Sequence, residues 1–345
     1  MKAMVLTGIE KMEMKEIPNP VIRNANDILI KVSKVGVCGS DIHYYTTGRI
    51  GSQVVQYPFS VGHETGGVVV EVGVGVKRLK PGDRIAIDPA VSCGECDQCI
   101  AGRSHTCRKL KFLGCPGQLS GALKEFVVMP EESCYLIPDQ MTMDEAVLSE
   151  PLAIGVYAVR QSIPLVNAAI GILGFGPIGM SVMLAAKAKG GEHFYVTDLV
   201  RERLLVANQL GAAFTGFGME PDVETQIISK EPMLLDVVFE CCGKQEAVDQ
   251  AVNLLKPGGK LMIIGIPEFD RWSFDVDQLR RKEITIVNVR RQNECVIETL
   301  DAMASGKIDA STMVTHRFPF ENSKEAFDFV KRYKDGVMKA MIEFE

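Results

Sequence analysis

Ile170-Gly171-Ile172-Leu173-Gly174-Phe175-Gly176-Pro177-Ile178-Gly179 is the stretch on which the fold turns. A short apolar run of strand character stops at a glycine, and a G-x-G-x-x-G spacing leads into a segment of helical composition that continues to Lys189. Gly174 permits a tight turn, Gly176 lets a pyrophosphate approach the backbone, and Gly179 lets helix and strand pack closely. The helix N-terminus then offers unpaired N–H groups and a positive dipole end to phosphate. Glycine triplets recur by chance, so the context decides. The next apolar segment ends in Tyr195-Val196-Thr197-Asp198, which puts an acid where the ribose of a dinucleotide is met. Asp198 there accepts from both ribose hydroxyls and repels a 2′-phosphate, which favours NAD over NADP. Nearby arginines are able to accommodate such a phosphate. Arg201 reads as an ordinary helix-surface charge, and Arg203 as a side chain able to lie along the adenosine ribose.

Outward from this motif, apolar strands are expected at 170–173, 193–197, 235–239, 260–264 and 284–289. Helices are expected between them at 177–189, 201–210 and 245–255, and after them at 294–304. Strand–helix alternation with nearly continuous apolar strands predicts an α/β domain, a doubly wound parallel (Rossmann) sheet. The first ~150 residues differ: Asp27–Val32, Gly67–Val72 and Arg84–Pro89 read as short strands punctuated by Gly73, Gly75 and a Pro81-Gly82-Asp83 turn. That texture suits a small, strongly bent β-barrel. The expected domains are 1–154, carrying a lobe at about 90–110, then 155–294, with 295–345 returning to complete the first.

A chain of 345 residues is too long for one simple core, which agrees with two domains. A net charge of -6 and the lack of a basic stripe argue against nucleic acid and anionic membrane surfaces. No apolar run is long enough to span a bilayer, and Met1–Gly8 has no signal-like apolar core, so the expectation is a cytoplasmic protein. Ten cysteines then read as metal ligands and buried thiols rather than disulfides.

Four of them, Cys93, Cys96, Cys99 and Cys107, follow a C-x2-C-x2-C-x7-C spacing. Four thiolates in one short loop close a tetrahedral shell around Zn²⁺, a structural site. Cys38, His63, Glu64 and Glu150 form a second candidate set of mixed ligands from separate segments, as a catalytic site with an exchangeable position requires. Singly, a cysteine is core filler, a histidine a satisfied polar group and Glu150 a helix-end charge; together they read as a second zinc site. Cys115, Cys134, Cys241, Cys242 and Cys295 read as buried thiols. His105, inside the four-cysteine segment, has no coordination place left and is expected to be exposed.

With these motifs in this order, the whole chain resembles the zinc-dependent medium-chain dehydrogenases/reductases, whose N-terminal domain is GroES-like. Cys38-Gly39-Ser40-Asp41-Ile42-His43-Tyr44, Gly48-Arg49-Ile50-Gly51, Glu150-Pro151-Leu152-Ala153 and Val196-Thr197-Asp198-Leu199 are similar to the polyol (sorbitol, xylitol, L-iditol) branch. The resemblance implies two zinc ions and NAD, with Cys38, His63 and Glu64 on the catalytic zinc and Glu150 holding the zinc water or replacing it. It implies a proton relay through Ser40 and His43, substrate contacts from Tyr44, Glu150 and Arg290, and cofactor contacts from Ile178, Gly265 and Val289 besides the glycines, Asp198 and Arg203. The implied reaction is hydride transfer from a secondary hydroxyl of a polyol to NAD, giving a ketose, in a homo-oligomer, a tetramer by resemblance. One departure touches the substrate: Arg291 follows Arg290 where the branch carries a tyrosine. An added cation suits a sugar acid or phosphorylated polyol, or else pairs with an acid at a subunit interface. The same chemistry on 2,3-butanediol or L-threonine stays open, as does a nucleotide-binding sensor; that last reading predicts lost zinc ligands, and all are present.

Overall fold

The structure, a computed structural model, describes residues 1–345 and divides the chain into two compact units. One comprises Met1–Glu150, Val296–Gly306 and Ala310–Glu345; the other comprises Pro151–Cys295 and Lys307–Asp309. No helix is long and apolar enough to cross a membrane.

The second unit is built on six parallel strands in the order Phe214–Phe217, His193–Asp198, Ala169–Leu173, Leu235–Glu240, Leu255–Ile263, Thr285–Asn288. Ala169–Leu173 is buried at every position, because helices cover both faces of a doubly wound sheet. Chain order reverses between Ala169–Leu173 and Leu235–Glu240, which makes the C-terminal ends of these two strands the topological switch point where ligands bind. The expected strands and helices are present within a few residues, apart from an earlier start of Leu255–Ile263. The sequence reading lacked Phe214–Phe217, Val223–Lys230 and Val276–Lys282. Phe214-Thr215-Gly216-Phe217 is short and carries a glycine, so its strand state comes from pairing with His193–Asp198 rather than from pattern.

The first unit is organised by a seven-stranded sheet in which Asp27–Gly36 pairs with Glu64–Val72, Phe126–Pro130 and Lys339–Glu343. Register shifts at Leu29/Ile30 and Val32/Lys34 bend the central strand, as bulges do. Gly67 sits at a tight crossing: a Cβ there would fall 2.2 Å from the Lys31 carbonyl oxygen. The tail Ala310–Glu345 belongs to this unit. Lys339–Glu343 adds antiparallel to Asp27–Gly36, and Val314–Pro319 runs parallel beside it. Tyr45 and Phe327, edge to face at 5.5 Å between ring centres, lie in the core beneath. A four-member charge network ties the returning segment down. Lys34 Nζ donates to Asp144 Oδ1 and Glu343 Oε1, both at 2.8 Å, and Arg317 donates to the same two carboxylates.

Candidate metal centres and nucleotide site

Cys38 stands between the end of Asp27–Gly36 and the helix Gly39–Thr47, as the residue that caps that helix. Asp41, in the first turn, turns its carboxylate back to accept from Cys38 N–H at 3.3 Å. The same fully buried carboxylate accepts Gly62 N–H at 3.1 Å and faces His63 Nδ1 at 3.3 Å. One aspartate thus fixes the cysteine and the orientation of the histidine ring, leaving Nε2 available to a metal. Burial pulls the His63 pKa down, but the charges of Asp41 and Cys38 outweigh it and raise it well above the ordinary value. Glu64 opens the strand opposite Gly36, where any Cβ would lie 2.3 Å from Glu64 Oε2; the missing side chain is what admits the carboxylate.

The ligand atoms of Cys38, His63 and Glu64 lie within 4.8 Å of one another. Glu150 is buried, and its Oε2 has no hydrogen-bond partner. Its pKa is pushed up to about 7, mainly by burial and further by Glu64, against the opposing pull of His63 and Lys339. A soft thiolate, an imidazole and a carboxylate within one coordination radius fit a zinc ion with a position to spare. An orphaned acceptor fits a neighbouring water or hydroxyl.

Lys339 is the residue that the sequence reading missed here. It is 1% exposed, and its ammonium lies 2.7 and 2.6 Å from the two Glu64 oxygens and 3.3 Å from the Val37 carbonyl. Burial acts to lower its pKa, but Glu64 and Cys38 hold it raised. The signal was a single lysine inside the apolar run Val337-Met338-Lys339-Ala340-Met341-Ile342, since a lysine is almost never buried unpaired. Asp41 was also missed as a supporting group, though it lies inside the quoted cysteine segment.

The four-cysteine segment folds as one knot. Cys93, Cys96, Cys99 and Cys107 present sulfurs within 4.8 Å of one another, and all four thiols are free. The sulfur separations Cys93–Cys107, Cys96–Cys99 and Cys96–Cys107 are 3.5, 3.6 and 3.9 Å. Zinc–sulfur bonds of about 2.3 Å give tetrahedral edges of about 3.8 Å, so the cage has the size of the ion. Backbone N–H groups of Arg108 and Cys99 push the Cys96 thiol down to about 6, toward the thiolate that a metal needs. His105 corrects the expectation: it is buried, not exposed, because the short turn Ser104–Thr106 folds its ring inward, yet it is not a member of the ligand group. Cys242 is likewise exposed rather than buried, at a turn after its strand.

In the second unit, Gly174 takes φ +92°, and a Cβ on it would meet Cys242; a Cβ on Gly179 would fall 2.0 Å from the Gly174 carbonyl oxygen. Above Gly176 nothing intrudes except the Arg203 guanidinium, 3.2 Å from where a Cβ would stand. Arg203 is buried, whereas Arg201 sits on the surface, 5.2 Å over the Phe217 ring. Asp198 accepts the N–H groups of Phe175 and Val200, so one carboxylate joins the glycine turn to the next loop. Ile178 is half-buried in the first turn of Pro177–Ala188, and Val289 N–H donates to the Ile263 carbonyl at 2.8 Å.

Of the other expected site residues, Ser40 Oγ donates to Cys38 Sγ at 3.4 Å, and His43 lies half-buried on the same helix. The buried Tyr44 donates its hydroxyl to Gln53 Oε1 at 2.9 Å, with Cys115 Sγ at 3.8 Å. Arg290 is exposed and Arg291 half-buried with φ +54°, both in the loop after Thr285–Asn288. Tyr44 and Arg290 belong to different compact units.

Residues 24–139 match the alcohol dehydrogenase GroES-like domain, and residues 177–305 match the zinc-binding dehydrogenase domain. The chain is 35% identical to a sorbitol dehydrogenase of Bacillus subtilis, over 99% of its own length and 97% of the relative's. It is 33% identical to an L-idonate 5-dehydrogenase of Vitis vinifera, over 94% and 89%. Among solved structures it is similar to an Escherichia coli oxidoreductase of unknown specificity, with TM-score 0.93 and 33% identity over 100% of this chain and 99% of that one.

Proposed function

Since the chain belongs to the zinc-dependent medium-chain dehydrogenases, we propose that it oxidises a secondary hydroxyl of a polyol of the sorbitol, xylitol or L-iditol type to a ketose, with NAD as hydride acceptor. The observation that carries this reading is the Cys38–His63–Glu64 group beside the unpartnered Oε2 of Glu150. Cys38, His63 and Glu64 hold the catalytic ion, and Cys93, Cys96, Cys99 and Cys107 hold a structural one. When bound, zinc supplies the Lewis acidity that brings a hydroxyl's pKa toward neutrality, and the nicotinamide supplies the electron sink.

The chain's own residues do the rest. Glu150 accepts a hydrogen bond from the site water or from a substrate hydroxyl. Ser40, already against Cys38, takes the hydroxyl proton and passes it to His43, whose side-chain type titrates near neutral pH. Tyr44 and Arg290 contact the substrate's further hydroxyls. Asp198 keeps acceptor capacity beyond its two backbone donors, because each carboxylate oxygen takes more than one hydrogen bond. It binds the ribose hydroxyls and disfavours a 2′-phosphate. Gly174, Gly176 and the first helical turn at Ile178 cradle the pyrophosphate, Gly179 lets helix and strand pack closely, and Arg203 lies along the adenosine ribose, while Gly265 and Val289 border the nicotinamide. The protein works in the cytoplasm as a homo-oligomer, a tetramer.

A second reading, oxidation of a sugar acid, is favoured by Arg291 and by the similarity to an L-idonate dehydrogenase. A panel of sorbitol, xylitol, L-iditol, galactitol, 2,3-butanediol, L-threonine and hexonates, followed as NADH formation, separates the two. Polyols should give the highest kcat/KM, and 2-propanol should be poor, since a substrate lacking the hydroxyls leaves buried polar groups unpaired. Hexonates ahead of every polyol would make the sugar acid the substrate and Arg291 its carboxylate partner.

A further inference from the structure

Glu240 ends the strand Leu235–Glu240 at the switch point of the parallel sheet and is fully buried. Nothing in the reaction just described uses it. Its Oε1 accepts two backbone donors of the turn that follows, Cys242 N–H at 2.8 Å and Gly243 N–H at 2.6 Å. Its main-chain carbonyl accepts two more from the next loop, Ile264 N–H at 2.9 Å and Gly265 N–H at 3.1 Å. Its Oε2 has no hydrogen-bond partner and points at Gly265, where a Cβ would stand 2.7 Å away.

The turn it holds is wedged between two loops. On one side, a Cβ on Gly174 would meet Cys242 Cβ at 2.7 Å, and Cys241 N–H donates to the Leu173 carbonyl at 2.8 Å. On the other, a Cβ on Gly243 would fall 2.4 Å from the Ile266 carbonyl oxygen, and one on Gly265 would fall 2.1 Å from Gly243 N. The glycine loop, the turn at 241–243 and the loop at 264–266 therefore touch backbone to backbone, with Glu240 beneath the contact. Burial raises its pKa, against the Cys242, Gly243 and Lys244 donors that act to lower it.

We infer that Glu240 is a positioning residue for the dinucleotide: it locks the three loops that border the switch-point crevice into the arrangement that binds NAD. This rests on the dinucleotide reading of that crevice. A crevice already ordered spares the bound state the loss of loop freedom that a loose one incurs. The Glu240 carboxyl is bonded only within the turn at 242–244, to its N–H groups and the Cys242 thiol, so its removal should weaken NAD binding and leave zinc, substrate affinity and the chemical step in place.

The test compares Glu240→Ala, Glu240→Gln and Gly243→Ala in the zinc-loaded full-length enzyme. It measures NAD dissociation by titration calorimetry, KM for NAD and for the polyol, kcat at saturating NAD, zinc content and Tm. Glu240→Ala should raise the Kd and KM for NAD about tenfold or more, by loss of preorganisation, with kcat, polyol KM and zinc content within about threefold of wild type. Glu240→Gln keeps an oxygen for the two N–H groups and should restore NAD binding to within about threefold. Gly243→Ala pushes the same turn off the 264–266 loop while Glu240 itself is kept, and should reproduce the NAD-selective loss. If Glu240→Ala does not fold, Gly243→Ala decides between the outcomes. Unchanged NAD binding in Glu240→Ala or Gly243→Ala, or equal losses in NAD affinity, polyol affinity and kcat, overturns the inference. A wild-type protein that binds neither NAD nor NADP overturns the dinucleotide reading itself.

Discussion

Replacing Lys339 with methionine tests the least expected contact in the catalytic unit. Lys339 and Glu64 are each 1% exposed and paired through both carboxylate oxygens. Removing one partner of such a pair strands a charge away from water, a loss of about 3–5 kcal/mol. At about 2–4 °C per kcal/mol for a unit of this size, the chelated variant should melt roughly 6–20 °C below chelated wild type. With zinc bound, Glu64 still faces a cation, so the loss should be much smaller. The double variant Glu64→Leu/Lys339→Met should recover most of the apo stability, because an apolar pair of similar volume often replaces a buried ion pair without loss. Differential scanning calorimetry is the suitable assay: the lone tryptophan, Trp272, lies in the nucleotide unit, and its fluorescence follows the wrong part of the chain. A chelated Lys339→Met protein within about 1 kcal/mol of wild type, or one losing equally with and without zinc, would refute this account of a buried pair that depends on its partner charge.

Elemental analysis should find about two zinc ions per chain, one for each ligand set. Cys38→Ser should lose one with turnover while the fold survives, whereas Cys99→Ser should chiefly lower Tm, and the converse pattern would exchange the two assignments. Asp198→Ala should narrow or reverse the preference for NAD over NADP, measured as the ratio of kcat/KM values; a wild type already favouring NADP sinks that reading. Acid stability should depend on the Lys34–Arg317–Asp144–Glu343 network. Burial works against Asp144, but Arg317 and Lys34 hold its pKa below the ordinary value, and Lys34 does the same for Glu343. Lowered carboxyl values mean stability that is present above the ordinary carboxylate range and lost as pH falls through the folded values. Urea midpoints from pH 7 to pH 3 should therefore fall further in wild type than in Asp144→Asn; parallel curves would exclude the network as a contributor.

The parts of this molecule that could be read in its residues are those with a short-range signature. The glycine turn at Gly174–Gly179 and the cysteine spacing from Cys93 to Cys107 are local, and each carries its chemistry in one segment. The mixed group Cys38, His63 and Glu64 was legible only because Cys38 and His63 sit beside glycine in turn-like settings and because the other motifs raised its standing. Lys339 and Glu240 escaped because their meaning comes from partners brought in by tertiary pairing: Glu64 is supplied by another strand, and Gly265 by another loop. His105 was misplaced for a related reason. Denying it a coordination position said nothing about which way the turn at Ser104–Thr106 would point its ring.

The pairing of Lys339 with Glu64 spans 275 residues, with the whole nucleotide unit between them. On a ribosome adding about 5–20 residues per second, Glu64 waits roughly 15–55 s for its lysine. During that interval the proposed ligands Cys38, His63 and Glu64 stand without their counter-ion, in a sheet still missing the strand Lys339–Glu343. The four-cysteine knot, by contrast, is complete within a stretch of 15 residues, from Cys93 to Cys107. The two centres are therefore born in sequence: the closed site can fill on the nascent chain, and the open one reaches its final shape only after the last strand has been translated.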